Sequence, residues 1–185
     1  MNDVYIAGIA MTVFGRHLER SLDDLAREAL TGALKDAGCD RADLGAAFYA
    51  GMTNGPLQGQ ISIPGQVVFS KIGIEGIPIY NVENACASGS SAFNLAVQSL
   101  RAGTTDVALA LGAEKMNIPD KAKAFAIFEG GWDVSRAEEN YQMLVKMGEG
   151  VEVPPDTTSD QPFSKFMEIY AAMCRLHMKT YGTTQ

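Results

Sequence analysis

The stretch "IPIYNVENACASGSSAFNLAVQSLRAGTTDVALALG", residues 77–112, decides the fold. Its first part, "IPIYNVE" (77–83), has the composition of a strand, and "DVALALG" (106–112) is a continuous apolar strand. Between them, residues 88–102 place Ala92, Phe93, Ala96, Val97 and Leu100 on one helical face, with Arg101 in the last turn and Gly103 as the stop. Parallel strands need such a helical crossover. The entry to this helix is unusual, because Cys86 stands between Ala85 and Ala87 and is followed by Ser88, Gly89, Ser90 and Ser91.

Working outward, "VYIAGIA" (4–10) predicts a strand buried on both faces. Ser21 as N-cap, with Asp24 three positions on, opens a helix that carries Leu22, Leu25, Ala26, Ala29, Leu30, Ala33, Leu34 and Ala37 at helical spacing and stops at Gly38. "LGAAFYAGM" (44–52) predicts a strand, and "GQVVFSKIG" (65–73), introduced by Pro64, a short helix. Strands alternating with helices define an α/β class, with a mostly parallel sheet flanked by layers of helices. Over 117–162 the regularity fails, and "GEGVEVPPDTTSDQP" is rich in Gly, Pro, Asp and Thr. This stretch reads as a loop insertion lying over the sheet. "FSKFMEIYAAMCRLHMKTYG" (163–182) is a last helix that stops at Gly182. The expected organisation is a core over 1–116, the insertion over 117–162, and a helix returning to the core within 163–185.

The 185 residues, 46% of them apolar, suffice for a substantial core and exclude a disordered chain. No apolar run reaches the ~18 residues of a membrane span, and Asp3 sits where a signal peptide carries basic residues. A cytoplasmic protein without a membrane partner is expected. The net charge of -7, without a basic cluster, gives nucleic acid no electrostatic footing. The three cysteines are widely spaced and form no CxxC pair, which is neither a disulfide framework nor a zinc site; no metal is expected.

Ligands of such sheets bind beyond the carboxyl ends of the strands, where Cys86 falls. Unpaired N–H groups and the positive end of the following helix dipole favour a thiolate there, and small neighbours let a carbonyl approach. The backbone around Ala87, Ser88 and Gly89 is the candidate for oxyanion and turn support. The competing structural reading makes Cys86 a small apolar filler, with Gly89 and the serines serving close packing and capping. Cys39, after a helix-stopping glycine, reads as peripheral, and Cys174 as packing beside Met173 and Leu176. His17 reads as a solvated loop residue and His177 as packing on the last helix. Lys115, Lys121, Lys123, Arg136 and Lys146 read as scattered, solvated charges.

The order of segments resembles the N-terminal half of a thiolase, of the sterol-carrier-protein and lipid-transfer-protein type. The resemblance is carried by "VYIAGIAMTVFGRHLERSLDDLAREAL", "NACASGSSAFNLAVQSLRAGTTDVALALGAEKM" and "YAAMCRLHMKTYGTT" and covers essentially the whole chain. It implies thiolytic cleavage of a 3-ketoacyl-CoA through an acyl-enzyme, with Cys86 as nucleophile, coenzyme A as cosubstrate and no tightly bound cofactor. It also implies a homodimer through the strand 77–83, and a second thiolase half that supplies the histidines and second cysteine for acid–base work. That half would lie in the same or another chain, and "YGTTQ" reads as a helix stop followed by the N-cap of a further helix. Some relatives also work with a small zinc-ribbon/OB-fold partner. Within the same resemblance stand a ketoacyl-synthase-like condensing enzyme, an aldolase-like member that does not depend on the cysteine, and a non-catalytic subunit of an enzyme complex.

Overall fold

The computed structural model describes residues 3–152 and 164–184. The chain divides into two compact units, Met1–Ala124 and Phe125–Gln185.

The first unit is built on a three-stranded sheet of order β2-β1-β3, formed by β1 (Ala46–Ala50), β2 (Ile79–Val82) and β3 (Ala108–Gly112). Both pairings are parallel, with Ala47 opposite Ile79 and Leu109, and Ala50 opposite Val82 and Gly112. β1 is central and buried along its whole length. Side-chain alternation splits its burial between two cores. Ala47 and Tyr49 join Leu30 of α1 (Leu22–Ala37) and Val68 and Phe69 of α3 (Pro64–Lys71), whereas Ala46, Phe48 and Ala50 pack on Ala92 and Ala96 of α4 (Ser88–Arg101). A short α2 (Asn54–Gln58) follows β1.

Local sequence explains the helix ends. Ser21 and Asp24 form a reciprocal capping box on α1, and Gly38 closes it in the left-handed conformation at φ 66°. Pro64 opens α3, as expected of a residue with no N–H to leave unpaired.

Segment 4–10 corrects the sequence reading. No strand forms there, and Tyr5, Ile6 and Ile9 are exposed instead of buried on both faces. The segment lies along α1: a Cβ on Gly8 would stand 2.3 Å from the Ala33 carbonyl oxygen, and one on Gly32 would stand 2.6 Å from Ala10 Cβ. The Ile9 N–H donates to Asp36 Oδ2 at 2.9 Å. Strand composition therefore does not become a strand here: the segment packs on α1, where Gly8 and Gly32 let the two backbones approach closely. β2 is an edge strand and is less apolar in practice than its pattern suggests, with Tyr80 and Asn81 exposed. Tyr80 stacks on Phe48 with ring centroids 4.9 Å apart.

In the second unit, α6 (Ala137–Lys146) packs against α7 (Lys165–Tyr181), where Ile169 and Ala172 are buried. The chain leaving α6 passes so close to α7 that a Cβ on Gly148 would lie 2.9 Å from Ala172 Cα. α5 (Lys121–Ala126) and two 3-10 turns, Ile127–Gly131 and Val134–Arg136, precede α6, so helical structure occupies much of the span expected to be irregular. Most of "GEGVEVPPDTTSDQP" and Phe163 lie outside the described residues. Ser164 caps α7 by accepting the Met167 N–H, and Gly182 ends it at φ 67°.

Candidate active site

Five residues connect β2 to α4, and their geometry presents Cys86 to solvent. Ala85 adopts φ 47°, a left-handed conformation that costs a Cβ-bearing residue free energy, on the order of 1 kcal/mol or more. Several bonds hold it there. The Ala85 N–H donates to Glu83 Oε1 at 2.7 Å, and Ser88 Oγ donates to the Ala85 carbonyl at 2.7 Å. The same Ser88 oxygen accepts the Asn84 N–H at 2.8 Å. Asn84 Nδ2 donates to Ser91 Oγ at 2.9 Å, joining the turn to the next turn of the helix. Ser88 is buried, at 5% exposure, while Cys86 at the apex is exposed.

The N-cap of α4 is Ala87, which supplies no side-chain hydrogen bond, and no acidic residue occupies the first turn. The positive end of the helix dipole thus faces the cysteine turn without a neutralising carboxylate of its own first turn. A Cβ on Gly89 would meet nothing within 4 Å, so this glycine leaves open space and does not serve close packing.

The other cysteines differ from Cys86 in setting. Cys39 is half-buried, with Sγ 3.7 Å from the Ala37 carbonyl. Cys174 is exposed, which corrects its reading as a packed core residue: on α7 the buried positions are Ile169 and Ala172. His177 is likewise exposed, its ring tilted against that of Tyr181 and bonded through Nδ1 to Thr183 Oγ1 at 3.2 Å. His17 is half-buried in its loop and bonded through Nε2 to the Val13 carbonyl at 2.7 Å.

Sequence reasoning missed the pair that follows β3. Glu114 Oε1 accepts the N–H groups of Met52 and Thr53 at 2.5 and 3.2 Å, holding the loop beyond β1. Lys115, expected to be a solvated charge, donates through Nζ to the carbonyls of Leu18 and Arg20 at 2.9 and 2.5 Å. Lys123 Nζ similarly donates to the Leu57 carbonyl at 3.2 Å. The available signal was position, since "GAEK" directly follows a strand and so lies at the ligand end of the sheet.

A parallel α/β sheet with an exposed cysteine at a strand-to-helix turn is the class that this geometry defines. The chain belongs to the thiolase N-terminal domain family, whose model matches residues 4–170. It is 31% identical over 191 residues to the acetyl-CoA acetyltransferase of Methanothermobacter thermautotrophicus, a match covering 100% of this chain and 42% of that protein. It is 42% identical over 113 residues to the benzoylsuccinyl-CoA thiolase subunit BbsB of Thauera aromatica, covering 60% of this chain and 28% of that protein. It is 36% identical over 193 residues to sterol carrier protein 2 of Bos taurus, covering 99% and 30% respectively. The chain thus spans less than half the length of these relatives.

Proposed function

We propose that this chain contributes the nucleophile of a thiolase, with Cys86 cleaving a 3-ketoacyl-CoA. Cys86 Sγ attacks the keto carbon, the bond between that carbon and the α-carbon breaks, and the electron pair left on the α-carbon takes a proton to release acetyl-CoA, leaving the chain-shortened acyl group on Sγ. The thiolate of free coenzyme A then attacks the acyl carbon and returns Sγ to the enzyme. Covalent catalysis of this kind divides one difficult cleavage into two acyl transfers.

The observation that carries this reading is the exposed Cys86 at the apex of a strained turn, held by Ser88 and facing an uncapped helix start. Such strain gathers at functional sites. Family membership supports acyl-transfer chemistry in general. Of the proposed oxyanion and turn support, the Ala87 and Ser88 N–H groups donate to the Asn84 and Ala85 carbonyls at 2.9 and 3.2 Å and so belong to the turn, which leaves the Gly89 N–H as the proposed oxyanion donor. Protonating the leaving carbanion and deprotonating coenzyme A require positioned acid–base groups, which a second thiolase half in the same or another chain would supply. Segment 117–162 is proposed to cover the substrate and set acyl preference.

Iodoacetamide labelling at mildly acidic pH, on a preparation containing the complementary half, tests the reading. Cys86 should be alkylated ahead of Cys39 and Cys174. The exposed Cys174 makes this a demanding comparison, and its faster alkylation would count against an activated Cys86.

A further inference from the structure

A cleft of about 560 Å³ opens at the carboxyl ends of β1 and β2, within the size range of small-molecule sites. Its walls are apolar, formed by Pro56, Ile61, Ile63, Pro64 and Val82, and Tyr49 and Asn54 are among its polar lining residues. The Asn54 side chain is 3% exposed, and its Oδ1 has no hydrogen-bond partner.

The orientation of this amide follows from counting protons. Tyr49 Oη donates its one proton to the Ala113 carbonyl at 3.1 Å, so it can only accept from Asn54, which it does from Nδ2 at 2.8 Å. Burial pushes the Tyr49 phenol up to about 12, so the proton stays in place at neutral pH. The unpartnered atom is therefore the acceptor. It lies beside Gly51, another lining residue, where a Cβ would come within 2.6 Å of Oδ1; glycine at 51 leaves space next to this buried oxygen.

Two further features point to a ligand. Ile63 in the wall holds φ 47°, an outlier for a β-branched residue, and such strain gathers at binding sites. Among the described residues that line the cleft there is no Lys, Arg or His, and Glu83 adds a carboxylate, so an anionic ligand would meet repulsion.

We infer that this cleft binds an uncharged group with a short apolar body and a hydrogen-bond donor, a hydroxyl or amide N–H, which Asn54 Oδ1 accepts. The inference goes further than the proposed chemistry of Cys86 and does not depend on it, because its test is equilibrium binding.

The test uses 1-pentanol, its isomer methyl butyl ether and pentanoate, titrated into the Cys86→Ala protein while the backbone N–H shifts of Gly51 and Gly55 are followed by NMR. 1-Pentanol should saturate these shifts at about fivefold to tenfold lower concentration than the ether, as expected for one hydrogen bond, and pentanoate should bind weakest. Gly51→Ala, which fills the space next to Oδ1, should abolish the preference for the alcohol. Asn54→Leu should do the same; if it does not fold, Gly51→Ala alone decides. Equal binding of alcohol and ether, tightest binding by pentanoate, no saturable shift, or a preference that survives Gly51→Ala would each overturn the inference.

Discussion

Ser88 Oγ accepts the Asn84 N–H at 2.8 Å while donating to the Ala85 carbonyl at 2.7 Å, so one buried hydroxyl spans the left-handed residue that precedes Cys86. Ser88→Ala should leave the Asn84 N–H without this partner and cost about 1–2 kcal/mol in urea unfolding. The turn should also relax, slowing Cys86 alkylation. Loss of stability with unchanged alkylation would limit Ser88 to a structural role.

Gly8→Ala tests the placement of the first segment on α1. A Cβ there meets the Ala33 carbonyl oxygen at 2.3 Å and the Ala37 nitrogen at 2.5 Å, both backbone atoms that cannot step aside. The cost should be about 1–3 kcal/mol, with hydrogen exchange accelerated over residues 4–10. A neutral substitution would place the segment elsewhere.

Residue types with a single structural use were legible in the sequence. Ser21 with Asp24, Gly38, Pro64 and Gly182 mark the observed helix ends because each satisfies or removes a terminal backbone group. The apolar runs that became β1 and β3 were legible because a sheet covered by helices wants continuous apolar strands. Segment 4–10 carries the same pattern and forms no strand, because its glycine and its Ile9 N–H contact α1, a tertiary contact that composition does not reveal. At the candidate site, Cys86 stood out by its neighbours. Glu114 and Lys115 did not, because their partners are backbone groups 62 and 97 residues away in sequence, and Glu83 and Asn84 did not, because their bonds to the Ala85 N–H and to Ser88 Oγ depend on the turn's conformation.

Tyr49 sets a pH dependence. Its folded-state pKa, raised to about 12 by burial, lies above the ordinary value of 10.0, so the fold prefers the protonated phenol. The stability this contributes is full below pH 10 and is lost as pH rises from 10 towards 12. Urea unfolding across that window should show the wild type losing stability faster than Tyr49→Phe. Parallel losses would mean that Tyr49 titrates like an exposed tyrosine.

β2 offers a free edge, which we propose is paired across a two-fold dimer. A charge at Ile79, for example Ile79→Asp, should shift the sedimentation coefficient towards monomer while the circular dichroism spectrum is retained. An unchanged dimer would locate the interface elsewhere.

Exchanging segment 117–162 with that of a relative should alter the ranking of kcat/KM among 3-ketoacyl-CoA chain lengths. An unaltered ranking would assign acyl selection to other parts of the protein.

Intact-protein and peptide mass spectrometry, after mixing a 3-ketoacyl-CoA with the protein and its complementary half, identifies the residue that takes the acyl group. An acyl adduct should appear on the peptide carrying Cys86, be discharged by coenzyme A and be absent from Cys86→Ser. An acyl group found on another residue, or full thiolytic turnover by Cys86→Ser, would contradict Cys86 as the nucleophile.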